Sequence, residues 1–102
     1  MQFEVKTTVE AGRTVVAVFG ECDLASRAEL ATALMAAVRS AEVVVVDAAG
    51  VEFLDSSGIH GLVTAYQAAR ELGRRLYVIN ASGEVADVLA MTGVGELLAP
   101  PG

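Results

Sequence analysis

An unbroken run of four valines, Val43–Val46, constrains the fold of this chain more than any other feature of its sequence. The run lacks the polar–apolar alternation that is typical of a strand with one face in water. Consecutive β-branched residues suit a strand that is covered on both faces, as the strands of a parallel sheet are. We therefore predict a buried strand over Val43–Asp47, followed by a loop over Ala48–Leu54.

The stretch after that loop predicts the start of a helix. The tetrapeptide Asp55–Gly58 has the sequence Asp-Ser-Ser-Gly and precedes a segment with helical periodicity. Asp and Ser are preferred N-cap residues, because their side-chain oxygens accept hydrogen bonds from free backbone N–H groups. A phosphate at the same place would also meet free donors and the positive end of a helix dipole. Local residues alone favour a well-capped helix over a phosphate site.

The flanking segments supply further strands and helices. Alternating apolar residues predict a hairpin of two strands, Phe3–Val9 and Arg13–Phe19. The other predicted elements are a helix over Ser26–Ser40 with a capping box from Ser26 to Glu29, a helix from the Asp55–Gly58 cap to Gly73, a strand over Leu76–Asn80, a short helix from Ser82 to Thr92, a brief final strand over Gly95–Leu98 and a frayed end at Pro100–Gly102.

This succession of elements predicts one α/β domain over residues 1–102. Strands that alternate with helices after a hairpin are typical of a mixed, mainly parallel sheet, here of four or five strands. We expect the order of strands in the sheet to follow the chain, with the first strand antiparallel at one edge. Because crossovers between parallel strands are almost always right-handed, this order places the helices mostly on one face.

Composition and charge argue against several classes of function. The chain has 102 residues and a formal net charge of −6, which is unfavourable for binding a phosphate backbone, so we expect no nucleic-acid partner. A single cysteine, Cys22, cannot form an internal disulfide, and one cysteine with one histidine does not favour zinc ligation. No apolar run approaches the ~18 residues of a membrane span, and Met1–Glu4 does not resemble a signal peptide. We expect a soluble, cytoplasmic protein without metal or cofactor, either a monomer or a weak dimer.

Three residues near the predicted helix start invite a hydrolase interpretation. A helix would bring Ser56 and His60 within one turn of each other, with Asp55 beside them. The nucleophile elbow G-x-S-x-G is absent because Leu54 occupies the place of its first glycine, and no group is evident to orient the histidine. Glycine motifs for nucleotide phosphates are also absent. We therefore interpret His60 as a surface residue and predict that the protein is not an enzyme.

Acidic residues follow two of the predicted strands. Asp23 and Asp47 lie just past strand ends, at the sheet edge to which Asp55 and Ser56 also belong. Ligands and functional loops gather at this edge of a parallel sheet. We interpret Asp47 as a strand-ending loop residue. For Asp23, a turn or helix cap and a functional role are equally compatible with the sequence.

Taken together, four segments resemble the STAS domain, whose name joins sulphate transporters and anti-sigma-factor antagonists. The strand Val43–Asp47 and the segment Val51–Ile59 resemble its signature region, Gly20–Asp23 matches a Gly-x-x-Asp loop before the first helix, and Thr92–Val94 matches the ending after the third helix. The elements occur in the family's order over nearly the whole chain. The resemblance therefore implies the STAS fold.

For a free-standing member, the resemblance also implies a partner switch. The unmodified protein binds an anti-sigma factor, which is a serine kinase, and so releases a sigma factor. That kinase uses ATP to phosphorylate the first serine after the aspartate, here Ser56, which breaks the complex, and a metal-dependent serine phosphatase restores it. Asp23 would lie near Ser56 and influence both phosphorylation and binding. The expected partner-binding residues are Asp23, Asp55, Ser56, Ser57, Gly58 and His60.

Two features depart from the family pattern. Cys22 stands where an aliphatic residue is usual, which leaves open a redox role or simple packing, and the segment Asp47–Gly50 is smaller and less polar than is typical. An alternative function also remains, because related STAS domains are cytoplasmic accessory parts of lipid or anion transporters and support an interface without phosphorylation. The intact Asp-Ser-Ser-Gly sequence favours the switch.

Overall fold

The computed structural model describes residues 3–101 and contains strands and helices in alternation after an initial hairpin. The strands are β1 (Glu4–Glu10), β2 (Arg13–Cys22), β3 (Val43–Leu54) and β4 (Arg75–Ile79). The helices are α1 (Arg27–Ser40), α2 (Ser56–Glu71), α3 (Gly83–Thr92) and α4 (Val94–Leu97). No helix within residues 3–101 is long and apolar enough to cross a membrane.

The four strands form a mixed sheet in the order β1-β2-β3-β4. β1 and β2 are antiparallel, whereas β2, β3 and β4 run parallel to one another. The register places Val16, Val46 and Val78 side by side across the three parallel strands. The predicted hairpin, the parallel strands and the strand order that follows the chain are confirmed.

The three longer helices pack on one face of this sheet. Alternate residues of the parallel strands share one apolar cluster with buried residues of α1, α2 and α3. The strand members include Val16, Val18, Val44, Val46, Leu76 and Val78, and the helix members include Leu30, Leu34, Val38, Leu62, Ala65, Val85 and Leu89. Apolar surface removed from water contributes about 25 cal/mol per Å², so burial of this face stabilises the fold. The predicted one-sided packing of helices is confirmed.

The valine run is also shielded on the opposite face of the sheet. Val45 points to this face, yet it is only 1% exposed. Its register partners on the neighbouring strands are Val15 and Tyr77, and same-face neighbours at this spacing shield one another from water. Val44–Val46 are therefore buried, as predicted, and cross-strand side chains shield Val45 on the face that has no helices. Val43, at the start of the strand, is half-buried.

β3 extends through the segment that was predicted as a loop. It runs to Leu54, and its second half pairs with the end of β2 through two register shifts. Such bulges interrupt the alternation of side chains. The exposed ring of Phe19 lies over Gly50, where a Cβ would be 2.2 Å from Cδ2 of that ring. The loop prediction over residues 48–54 was wrong because a bulged strand lacks the period-two pattern on which the prediction depended.

The predicted final strand is a short helix instead. Gly93 ends α3 in the left-handed region at φ +77°, and α4 begins directly after it. The buried Leu98 then accepts a hydrogen bond on its carbonyl oxygen from the backbone N–H of Val78, at 2.8 Å. The chain end thus meets the edge of β4 through a turn, and the described sheet has four strands. Pro101 is exposed at the end of the described residues, while Gly102 lies outside them.

Candidate functional site

Asp55 is the N-cap of α2, and its carboxylate is bound to the backbone of that helix. Its Oδ1 accepts hydrogen bonds from the N–H groups of Ser57 at 2.9 Å and Gly58 at 3.2 Å. These donors belong to the first turn, where a helix leaves N–H groups free. The well-capped helix that the sequence favours is confirmed, with Asp55 as the cap.

Because Ser is a preferred N-cap residue, we expect Ser56 at the N-cap of α2. It is instead the first residue of the helix, one position after the N-cap Asp55. The residue is exposed, whereas Ser57 is half-buried. Within residues 3–101, the hydroxyl of Ser56 has no hydrogen-bond partner. Because Asp55 supplies the cap, the hydroxyl of Ser56 is free to meet another molecule.

Gly58 lets the first turn of α2 approach the ends of β2 and β3. A Cβ at this position would lie 2.5 Å from Cδ1 of Leu54 and 2.8 Å from the carbonyl oxygen of Cys22. The same carbonyl accepts a hydrogen bond from the backbone N–H of Asp55 at 3.2 Å. Gly58 is itself buried, so it positions Ser56 from beneath.

A small hydrogen-bonded loop after β2 fixes Asp23. Its Oδ1 accepts from the backbone N–H of Ser26 at 3.2 Å, and its own N–H donates to Oγ of Ser26 at 3.0 Å. The Ser26 hydroxyl also donates to the carbonyl of Glu21 at 2.7 Å. Asp23 is therefore a turn residue whose half-buried carboxylate is held in place, next to the Cys22 carbonyl that binds the start of α2.

This loop overturns one prediction about α1. Ser26 is the N-cap of α1, but its side chain makes no capping hydrogen bond to the helix. Its backbone is helical, at φ −97° and ψ 0°, instead of the β-region conformation that directs a cap hydroxyl to the first turn. The predicted capping box from Ser26 to Glu29 was wrong because the hydroxyl of Ser26 is engaged by the loop of Asp23.

The thiol of Cys22 lies beneath both acidic residues of the site. Cys22 is 3% exposed. Burial first, and then the charges of Asp23 and Asp55, raise the pKa of this thiol to about 11. The backbone N–H of Asp55 donates to the carbonyl of Cys22, the residue before Asp23, so Asp23 and Asp55 lie at the same end of the sheet. The Cys22 side chain packs in the core and is protonated at neutral pH.

A depression between the two long helices, the α1–α2 groove, lies beside this site. It has a volume of ≈ 160 Å³ and is formed by Arg27, Ala31 and Met35 of α1 and by His60, Gly61, Thr64 and Ala65 of α2. His60 is exposed, as predicted, and within residues 3–101 its imidazole has no hydrogen-bond partner. The hydroxyl of Ser56 and the imidazole of His60 thus do not form the hydrogen-bonded pair that a hydrolase needs.

Arg27 is the groove residue that the sequence interpretation missed. The signal for it was present, because Arg27, Ala31 and Met35 recur at a spacing of four residues and so form one ridge of a helix. Within residues 3–101, Arg27 makes no ion pair or hydrogen bond through its guanidinium.

Asp47 lies within β3 and not at the end of a strand. Its Oδ1 accepts hydrogen bonds from the backbone N–H of Ala49 at 3.0 Å and from Nδ2 of Asn80 at 3.1 Å. These bonds connect β3 to the residue that follows β4. The strand-end position was predicted wrongly, but the carboxylate has the structural role that we preferred for it.

A metal centre finds no support in the described part of the chain. Within residues 3–101, no three His, Cys, Asp or Glu side chains lie close enough together to hold a metal ion. The site is therefore a surface of polar side chains around the exposed hydroxyl of Ser56.

Known proteins share this fold. A family model described as "Mlab, STAS domain" matches residues 6–99, while a comparison with curated proteins finds no match. The crystal structure of an anti-sigma factor antagonist from Mycobacterium paratuberculosis is 27% identical and has a TM-score of 0.87, covering 96% of this chain and 84% of that one.

Two further structures show the range of proteins in which the fold occurs. The Bacillus cell fate determinant SpoIIAA in its phosphorylated form is 20% identical, with a TM-score of 0.71 over 93% of this chain and 86% of its own. The murine anion transporter Slc26a9 is 20% identical, with a TM-score of 0.72 over 86% of this chain but only 15% of the transporter. Because the family model matches nearly the whole described chain, this protein belongs to the STAS domain family, as its sequence resemblance predicts.

Proposed function

We propose that this protein is an anti-sigma-factor antagonist whose unmodified form binds an anti-sigma factor serine kinase and so frees a sigma factor. The observation that carries the proposal is the exposed hydroxyl of Ser56 at the start of α2, which is unpartnered within residues 3–101 while Asp55 holds the cap. The similar proteins include an antagonist from Mycobacterium paratuberculosis and a phosphorylated SpoIIAA. Phosphorylation of Ser56 ends the complex in the cytoplasm, and a serine phosphatase restores it.

The surface around Ser56 suits such a switch. Asp55 precedes Ser56 and is fixed by the first turn of α2, and Asp23 is fixed by the loop after β2. His60 lies one helical turn after Ser56 on α2. A partner that fits closely over a hydroxyl has no space for a phosphate. The phosphate also adds about −1.5 to −2 charges near neutral pH. The chain already has a net charge of −6, so the added charge opposes association unless the partner supplies compensating cations.

Each residue of the proposed interface has a separate task. Ser56 accepts the phosphate and touches the partner, and Ser57 contributes the exposed part of its surface beside it. Asp55 and Gly58 set the position of the first turn of α2 through the cap and the close packing. In this proposal Asp23 contributes from the loop after β2, which is joined to the start of α2 by the hydrogen bond from Asp55 to Cys22. His60 contributes from one helical turn farther along α2.

The experiment that tests this proposal first identifies the kinase that binds the protein and then locates the residue that the kinase phosphorylates. Immobilised protein is incubated with bacterial lysate with and without ATP, and the retained kinase is identified, purified and incubated with the protein and ATP. We expect one phosphate, located on Ser56 by peptide mapping. Ser56→Ala should bind the kinase and resist modification, whereas the matched control Ser57→Ala should still be phosphorylated. A phosphate on Ser57, or unchanged modification of Ser56→Ala, would contradict the proposal.

A second candidate is supported by two of the comparisons. The matching family model is described as Mlab, and a murine anion transporter shares the fold. In this alternative the protein is an accessory subunit of a lipid or anion transporter, and Ser56 is part of an interface that is never phosphorylated. The same incubation separates the two functions, because a transport ATPase and its permease would then be retained with and without ATP.

A further inference from the structure

We propose that Arg27 and His60 form an anion-binding pair that holds the phosphate of phosphorylated Ser56 at the mouth of the α1–α2 groove. The inference rests on the proposed modification of Ser56 and concerns what the modified state looks like. It assigns to this chain an internal partner for the phosphate.

The two helices present facing ridges at the groove. On α1 the ridge is Arg27, Ala31 and Met35, and on α2 it includes His60 and Thr64. Residues four positions apart lie above one another on a helix. Ser56 is four positions before His60, so it is the next residue of the same α2 ridge toward the helix start. A phosphate on Ser56 therefore lies next to the imidazole of His60.

Arg27 is directed to the same end of the groove. It is the first residue of α1, as Ser56 is the first residue of α2. Side chains on a helix lean toward its N-terminus. The long guanidinium side chain of Arg27 thus extends from α1 toward the end of the groove that Ser56 borders, where it can meet a phosphate in the bidentate geometry that suits this group.

The charges of the groove select an anion. The chain has only seven Lys and Arg residues and one His, against thirteen Asp and Glu. Two of these eight basic residues line this one depression, and none of its lining residues is acidic. Within residues 3–101, neither the side chain of Arg27 nor that of His60 has an ion-pair or hydrogen-bond partner. Two unpartnered basic groups face each other across a groove whose next ridge residue is the proposed phosphoacceptor.

The nearby carboxylates oppose this attraction but are already engaged. Asp55 accepts hydrogen bonds from two backbone N–H groups of α2, and Asp23 accepts from Ser26. Their charges remain close to the phosphate. Arg27 and His60 offset that repulsion, and the held phosphate also closes the groove mouth to a partner. Phosphorylation thus ends the complex by occupying a surface as well as by adding charge.

The test installs phosphoserine at position 56 during synthesis of the full chain, so that no kinase is required. The titration of the phosphate is followed by phosphorus NMR in the parent, Arg27→Gln and His60→Gln proteins. Nearby cations favour the doubly charged phosphate, so each substitution should raise the phosphate pKa by about 0.5 unit, and the double substitution by more. The matched control is Arg39→Gln, which removes a charge from the last turn of the same helix and should leave the phosphate pKa unchanged.

A second readout excludes a general effect on folding. In the unmodified protein, both substitutions should leave the melting temperature within about 1 °C of the parent, because neither side chain has a partner there. Phosphate pKa values in Arg27→Gln and His60→Gln that equal those of the parent and of Arg39→Gln would overturn the inference. Failure of the kinase to modify Ser56 would instead contradict the proposed function and leave this titration unaffected.

Discussion

At the scale of single residues, the site contains side chains that hold the backbone in place beside the hydroxyl of Ser56, which is left free. The carboxylates of Asp55 and Asp23 accept hydrogen bonds from backbone N–H groups, and the hydroxyl of Ser26 bridges the turn after β2. These bonds fix the surroundings of Ser56 without engaging its hydroxyl. A position with this division of roles can change its charge by modification while its backbone stays in place.

Substitution of Asp23 should separate its charge from its structural role. Asp23→Asn keeps an oxygen that can accept from Ser26, so its free energy of unfolding should stay within ~0.5 kcal/mol of the parent. Asp23→Ala loses the acceptor and should cost about 1 kcal/mol, as the loss of a cap or turn side chain typically does. Both should change the rate of Ser56 phosphorylation, because both remove the charge. Urea unfolding and the phosphorylation rate check this pair. Normal phosphorylation in both variants would make Asp23 a turn residue only.

Cys22 should behave as an inert core thiol, which decides between the two roles that its sequence left open. Its pKa in the folded protein, about 11, is above the ~8.5 of an unfolded thiol. The folded state therefore holds the proton more tightly, and this contribution to stability is complete below pH ~8.5 and is lost as the pH rises toward 11. Iodoacetamide at pH 8 should alkylate Cys22 at least about tenfold faster in urea than in native buffer.

The matching stability measurement uses Cys22→Ala as the reference. Between pH 8 and 11, the free energy of unfolding should fall more steeply for the parent than for Cys22→Ala, because only the parent loses the thiol contribution. Rapid alkylation of the native protein, or identical slopes for the two proteins, would show that the thiol is accessible and would reopen a redox role.

At the scale of elements, the site depends on the close approach of α2 to the ends of β2 and β3. The backbone N–H of Asp55 donates to the carbonyl of Cys22, and Gly58 occupies a space in which a Cβ would overlap Leu54 and Cys22. The glycine of the Asp-Ser-Ser-Gly sequence is thus required by packing. Without this contact the helix start would move outward, and Ser56 would lose its fixed place beside the loop of Asp23.

Two glycines of the same helix provide a matched test of this contact. In Gly58→Ala the new Cβ would lie 2.8 Å from a backbone oxygen, which cannot yield cheaply, so we expect a loss of about 1–3 kcal/mol in the free energy of unfolding. In Gly61→Ala the nearest atom is Cδ2 of Leu30 at 3.4 Å, and alanine favours a helix by up to ~1 kcal/mol over glycine. Gly61→Ala should therefore be neutral or stabilising. Equal losses in both variants, measured in urea, would show that Gly58 has no special packing role.

At the scale of the whole molecule, the periodicity of apolar residues predicted the strands and helices whose buried faces repeat along the chain. It missed the elements that depend on local backbone geometry. The valine run and the helical stripes predicted the sheet order and the one-sided helices, because a buried face leaves a repeating apolar pattern. The second half of β3 has no such pattern, since the bulges and Gly50 beneath Phe19 interrupt it. The helical turn of α4 follows from the left-handed Gly93, whose conformation no periodicity records.

The candidate site also has features that the sequence predicts and features that it does not. A capped helix start within Asp55–Gly58 follows from residue type, and the structure confirms it with Asp55 as the cap and Ser56 as the next residue. The competition for the hydroxyl of Ser26 could not be predicted, because it depends on the conformation of a turn and not on the spacing to Glu29. Arg27 was missed because its role arises only when α1 and α2 are packed side by side.

The affinity of the purified kinase for two forms of this protein tests the central claim most directly. Isothermal titration would compare the unmodified protein with protein that has phosphoserine at position 56. The control for added charge is protein with phosphoserine in place of Ser40, an exposed residue at the far end of α1. We predict binding at least tenfold weaker for the position 56 form, a loss of ~1.4 kcal/mol or more, and near-parent affinity for the control. Equal affinity of the unmodified and position 56 forms would contradict the switch.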